Sequence, residues 1–136
     1  MLLVFICPAA VAIDNPDVPD YVADFLSRSQ SYESRINEVA VSTAEIVHVY
    51  SEYETFLDTE LNHAYVGVLK KLGKRQANGL VSSQRQWLKY RDTEFRLIDE
   101  NWIPENFGTS SRVSRGSYRT RLVKDRVIQL LYYLKN

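Results

Sequence analysis

The sequence predicts an all-α fold: a long antiparallel helical hairpin, with a C-terminal helix and a short N-terminal helix packed on it. Three observations carry this. Apolar residues recur at three- and four-residue steps through Ile46, Val49, Tyr50, Tyr53, Phe56, Leu57, Leu61, Ala64, Tyr65, Val68 and Leu72, the period of one helix face. A second stripe, Leu80, Gln84, Trp87, Leu88, Arg91, Phe95, Ile98 and Trp102, follows after a short break, which turns the chain back on itself. Only five glycines and four prolines punctuate the 136 residues, an ordinary soluble composition with long uninterrupted stretches.

The first long helix has a marked start. Ser42-Thr43-Ala44-Glu45 has the spacing of a capping box, and Val41 and Ile46 stand where a hydrophobic staple would close over it. Gly73 stands where a left-handed C-terminal cap is expected. Between them the helix would run about 46 Å and form the spine of the domain. The second helix is expected to open near Asn78-Gly79. Counting outward from the turn sets Trp87 near Ala64 and Tyr65, and Arg91 near Leu61, within reach of Asp58 and Asn62. A guanidinium on an apolar seam is costly unless its donors are met. Arg91, Asp58 and Asn62 therefore read as a structural clamp that fixes helix register, with Asp58 the carboxylate best placed to serve it.

The flanks are less regular. Met1 to Ala12 is an apolar run ending Ala10-Val11-Ala12, the small-any-small pattern of a signal-peptidase site. It is too short to span a bilayer and lacks a basic start, as a truncated signal would. The competing reading is a buried N-terminal segment of a cytosolic protein. With cleavage, residues 13–136 form one helical domain. The single cysteine, Cys7, would be removed, leaving no thiol or cysteine metal site. Pro19 is expected to start a short helix from Asp20 to about Ser29, with Tyr21, Val22, Phe25 and Leu26 on its apolar face. The serine-rich Ser27–Ser34 reads as a loop, and Ile36–Val41 is open between a helical turn and a linker. Ile103–Gly116, with Pro104, Gly108 and Gly116, reads as a long irregular connection. The last helix is expected from about Ser117 to Leu134, with Leu122, Val123, Val127, Leu130, Leu131 and Leu134 inward. Arg119, Arg121, Lys124 and Arg126 fall on or beside its outer face.

Charge and chemistry narrow the function. Met1–His63 holds eleven acids and two bases, a net of −9, and Ala64–Asn136 holds fifteen bases and six acids, a net of +9. This asymmetry fits either internal pairing of the halves or an acidic surface kept for a cationic partner. His48 and His63 are fifteen residues apart on one helix, about 22 Å along its axis, and cannot share an ion. No glycine-rich phosphate loop or nucleophile–histidine pairing is present, and no pair of acids is marked for acid–base work. No catalytic residue, metal ligand or cofactor is expected. The basic run Arg112 to Arg126 reads as a solvated helix face before a nucleic-acid surface. A binding protein remains.

Asp58, Leu61-Asn62, Tyr65, then Gln84-Arg85, Trp87 and Tyr90-Arg91-Asp92 resemble the core pattern of the lysozyme inhibitor LprI-like family, small helical domains of the bacterial cell envelope. The tail Leu122, Arg126, Leu130 matches the family's closing spacing, so the resemblance spans roughly Thr43 to Leu130. It departs at Val49, Phe95 and Tyr118, where cysteines are common in the family. A Phe95–Tyr118 ring contact is expected to stand in for one disulfide. The resemblance implies a periplasmic or secreted inhibitor of a lysozyme-like or other wall-degrading enzyme, or an immunity protein against a periplasmic toxin. The alternative is an accessory envelope domain that inhibits nothing. For an inhibitor, Glu45, Glu52, Glu54 and Glu60 are candidates to attract a cationic enzyme. Phe107, Arg112 and Arg115, on the long connection, are candidates to plug its carboxylate-lined cleft.

Overall fold

A computed structural model of the chain describes residues 18–135; the predicted signal segment lies outside them. Five helices account for nearly all of it: α1 (Tyr21–Ser34), α2 (Thr43–Lys71), α3 (Lys74–Asn101), α4 (Pro104–Phe107) and α5 (Ser110–Lys135). The all-α architecture predicted from the sequence is the one observed, and no strand occurs among the described residues.

The Asp20 carboxylate accepts from the Ala23 amide and starts α1. The helix does not stop at Ser29. It runs through the serines to Ser34 and continues as a π-helical turn, Arg35–Val39. Val22, Phe25, Ser29, Tyr32 and Ile36 keep a helical spacing toward the core, so the predicted Ser27–Ser34 loop is helix, with exposed serines on its outer face. At the start of α2 the Ser42 hydroxyl accepts from the Glu45 amide at 3.2 Å, and the Glu45 carboxylate accepts from the Val41 amide at 2.8 Å. The expected staple is absent, because Val41 is 89% exposed.

The turn also differs from expectation. Gly73 has φ −68° and ψ 164°, so it is not a left-handed cap; it serves as the N-cap of α3. That helix opens at Lys74, ahead of Asn78-Gly79, because Lys74-Arg75-Gln76-Ala77 are good helix formers. The expected long connection Ile103–Gly116 shrinks to Gly108 and Thr109 between α4 and α5. Pro104 opens α4, and Gly108 closes it at φ 57°, where an L side chain would be strained. The Ser110 and Ser111 hydroxyls then donate to the Phe107 and Gly108 carbonyls, holding the bend tight.

Cross-links give the topology. Arg28 pairs with Glu60 at 2.6 Å and Tyr53 donates to Glu33 at 2.9 Å, so α1 runs antiparallel to α2. Arg126 reaches Gln84 and Arg119 reaches Asp99, so α3 runs antiparallel to α5. Tyr50 lies against Gly116 and Lys71 against Leu134, so α2 and α5 are parallel. The result is an up-down-up-down arrangement of four long helices. Its closest pair is α2 with α5, not α2 with α3. Small residues allow this approach: a Cβ built on Gly116 would lie 2.5 Å from the Tyr50 ring, and one on Gly67 would lie 3.4 Å from Leu134. Phe25, Leu57, Val68, Val127 and Leu130 are fully buried between the helices. Bulky Trp87, Arg91 and Phe95 on α3 hold that helix off, which leaves a groove between α2 and α3.

Candidate functional site in the groove between α2 and α3

Two helical stripes face each other across this groove. Asp58, Leu61, Asn62 and Tyr65 come from α2, and Val81, Gln84, Arg85, Leu88 and Arg91 from α3, enclosing about 450 Å³. Steps of three and four residues put each set on one side of its helix. Leu61 and Gln84 are buried and form the floor, while Asp58, Asn62 and Arg85 are exposed at the rims. Asn62, Tyr65 and Arg85 have no hydrogen bond or ion pair among the described residues.

The three residues of the predicted clamp are brought together here. Arg91 donates to Asp92 Oδ1 at 2.8 and 3.0 Å and stands 3.9 Å from Asp58. Its guanidinium lies between Trp87 and Phe95, 5.8 and 5.7 Å from the ring centroids. Both carboxylate side chains are 64% exposed, so water screens this pairing. Asn62 lines the same groove without bonding Arg91.

The buried cation is a different residue. Arg126, expected on or beside the outer face of the last helix, is only 6% exposed. It donates to Gln84 Oε1 at 3.0 Å, Ser83 Oγ at 3.2 Å and Gln129 Oε1 at 2.5 Å, and lies over Trp87 at 5.7 Å. No carboxylate neutralises it among the described residues, and burial pulls its pKa below the usual arginine value. The sequence held a signal for this: Leu122, Arg126 and Leu130 at four-residue steps place the arginine inside the apolar stripe. Gln84, the polar member of the other stripe, is its acceptor.

The candidate partner-binding residues are scattered. Glu45 is engaged in the helix cap. Glu52 pairs with Arg35 at 2.6 Å, and Glu60 with Arg28 at 2.6 Å. Glu54 is partly buried; desolvation raises its carboxyl above the usual range, against the pull of Arg119. Phe107 packs on Trp102 at 4.7 Å. Arg112 is exposed, and Arg115 donates to the Trp102 and Asp99 carbonyls at 2.7 and 2.9 Å, closing the C-terminus of α3. Neither arginine is on flexible backbone, because both lie in α5. The cluster around Trp102 sits some eleven residues beyond Arg91 on α3, roughly 16 Å along the axis.

The expected Phe95–Tyr118 contact is also replaced. Tyr118 lies on Trp102 at 5.4 Å, while the Arg119 guanidinium covers Phe95 at 4.9 Å and bonds Asp99. Adjacent helical residues point about 100° apart, and residue 119 is the one that faces α3.

Among the described residues no cluster of histidine, cysteine and acids could hold a metal ion, and no helix is long and apolar enough to cross a membrane. A model of the family described as lysozyme inhibitor LprI matches residues 35–130. The chain belongs to the LprI lysozyme-inhibitor family. The match runs from the π-helical turn to Leu130, so it takes in α2, α3, α4 and most of α5. No curated protein and no solved structure matches the chain. Seven of the residues that carry the resemblance, Asp58, Leu61, Asn62, Tyr65, Gln84, Arg85 and Arg91, line the one groove.

Proposed function

We propose that the protein is an exported envelope inhibitor that binds a lysozyme-type wall hydrolase through the α2–α3 groove. Membership of the LprI family over residues 35–130 is the observation that carries this reading. The groove supports it as the contact surface. It offers a floor of Leu61 and Gln84 flanked by Asn62, Tyr65 and Arg85, polar groups with no partner of their own among the described residues, which is how a recognition site differs from a packed seam. Arg85 is its free cation. A lysozyme-type cleft is lined by carboxylates, so a guanidinium with no internal partner suits blockade better than Arg115, whose donors already serve α3. Exposed acids on the N-terminal half, Asp24, Glu38 and Asp58, supply long-range attraction to a cationic enzyme.

The same chemistry extends to a rival's periplasmic toxin of muramidase type, for which the protein would act as an immunity factor. The test is a cell-wall lysis assay with cationic muramidases titrated by the purified protein. Dose-dependent loss of lysis at a fixed stoichiometry is expected. Undiminished lysis at excess protein across such enzymes refutes the reading and leaves an accessory docking role.

A further inference from the structure

We propose that the end of the bundle where α2 turns into α3 docks on an anionic lipid surface. The observation is a one-signed stretch wrapped round an open apolar pocket. Residues 61–91 contain seven lysines and arginines and no aspartate or glutamate. Four of them, Lys70, Lys71, Lys74 and Arg75, fall within six residues at the turn, and the first turn of α3 carries no acid. Lys70, Lys74 and Arg75 are exposed and have no hydrogen bond or ion pair among the described residues. Lys71 donates to the Leu134 carbonyl at 2.9 Å, which brings the end of α5 alongside.

That end of α5 presents Tyr132 and Tyr133, each about half exposed. Between the three helix ends lies a pocket of about 420 Å³ lined by Val68, Leu72, Gln76, Gly79, Leu80, Ser83 and Tyr133. Nothing lies within 4 Å of where a Gly79 side chain would begin, so the pocket stays open on that side. Among the described residues the acids at this end are Asp20 and Asp24 of α1, which packs on α2 and α5. Asp20 is engaged in capping its helix.

Cations for phosphate headgroups, tyrosines at the height of the interface and an apolar pocket for the acyl boundary are the three components of peripheral bilayer binding. A nucleic acid would use the cations but would leave the open apolar pocket between the helix ends unused. In this orientation α1 starts at the membrane, since it runs antiparallel to α2. The α2–α3 groove lies along the side of the bundle and stays accessible, so docking and hydrolase binding are separable.

The test is co-sedimentation of the purified protein with vesicles of phosphatidylcholine alone and of phosphatidylcholine with phosphatidylglycerol in equal parts. Binding to the anionic vesicles only is expected. Each basic residue near such a surface contributes about 1 kcal/mol, so Lys70→Glu, Lys74→Glu and Arg75→Glu together should weaken binding at least about a hundredfold. Leu72→Ser, which leaves the charge unchanged, should weaken it by several-fold while hydrolase inhibition by both variants matches the parent. Equal binding to neutral vesicles, or full binding by the triple variant, overturns the proposal. Sensitivity to charge alone, with Leu72→Ser indistinguishable from the parent and polyphosphate binding as strong as vesicle binding, overturns it in favour of a general polyanion patch.

Discussion

Removing Arg126 should leave Gln84 as a buried acceptor with nothing to accept from. Arg126→Ala takes away the stem packed along Trp87, about 2 kcal/mol at roughly 0.8 kcal/mol per buried methylene. It also orphans Gln84 Oε1, which is in a side chain only 7% exposed, for about 1 to 3 kcal/mol more. Against this stands the relief of keeping a guanidinium with no carboxylate out of water, several kcal/mol in a fully dry site but less here, where Gln84, Ser83 and Gln129 meet its donors. The net expectation is a loss of about 2 to 4 kcal/mol. Arg126→Met keeps the stem volume and should cost about 1 to 3 kcal/mol, mostly through Gln84. Arg126→Met with Gln84→Met removes donor and acceptor together and should regain most of that loss. Urea denaturation followed by circular dichroism gives the four corners of the cycle. Arg126→Met unfolding at the parent's midpoint, or a double variant less stable than both single ones, would refute the reasoning.

Other expectations rest on single contacts. Gly116→Ala should cost about 1 to 3 kcal/mol, because the clash includes the Tyr50 Cβ at 2.8 Å, which no rotamer change moves. Gly67→Ala meets only the flexible tip of Leu134 and gains helix propensity, so its thermal midpoint should equal or exceed the parent's. Arg115→Ala unties the Asp99 and Trp102 carbonyls and should destabilise by about 1 to 3 kcal/mol, with hydrogen exchange rising first at the C-terminus of α3. Glu54 has a folded-state pKa raised by burial, so the folded state holds its proton more tightly than the unfolded one. Its contribution is fully present below the ordinary glutamate range and is lost as pH rises through the elevated value. Glu54→Gln should therefore flatten the stability profile just above that range, and a titration with an unaltered slope would contradict the assignment.

The helices were legible because burial on α2 and α5 follows the apolar spacing almost residue for residue, from Val49 to Val68 and from Val123 to Leu131. What misled was local chemistry read as punctuation. The serines of Ser27–Ser34 and the glycine at 116 look like breaks, yet Ser27 and Ser31 sit on a helix exterior, Ser29 faces the core, and Gly116 is a contact against Tyr50. The register of Arg91 against Asp58 could be counted from the turn although α3 began four residues early, since both sets of residues keep their faces. Charge put Arg126 on or beside the outer face of the last helix, although its four-residue spacing from Leu122 and Leu130 places it in the apolar stripe, where Gln84 and Ser83 of α3 meet it. The acidic half could be read either as internally paired or as a surface kept for a partner, because Glu52 and Glu60 find Arg35 and Arg28 only once α1 folds back on α2.

The claim that the α2–α3 groove is the inhibitory surface is tested most directly by calorimetric titration of a muramidase that the parent inhibits. The titrants are the parent and the Asn62→Ala, Arg85→Ala double variant. Both replaced side chains are exposed and unbonded within the fold, so stability should be unchanged. Affinity should fall at least about tenfold. A double variant that folds and binds as tightly as the parent would place the contact surface elsewhere on the bundle.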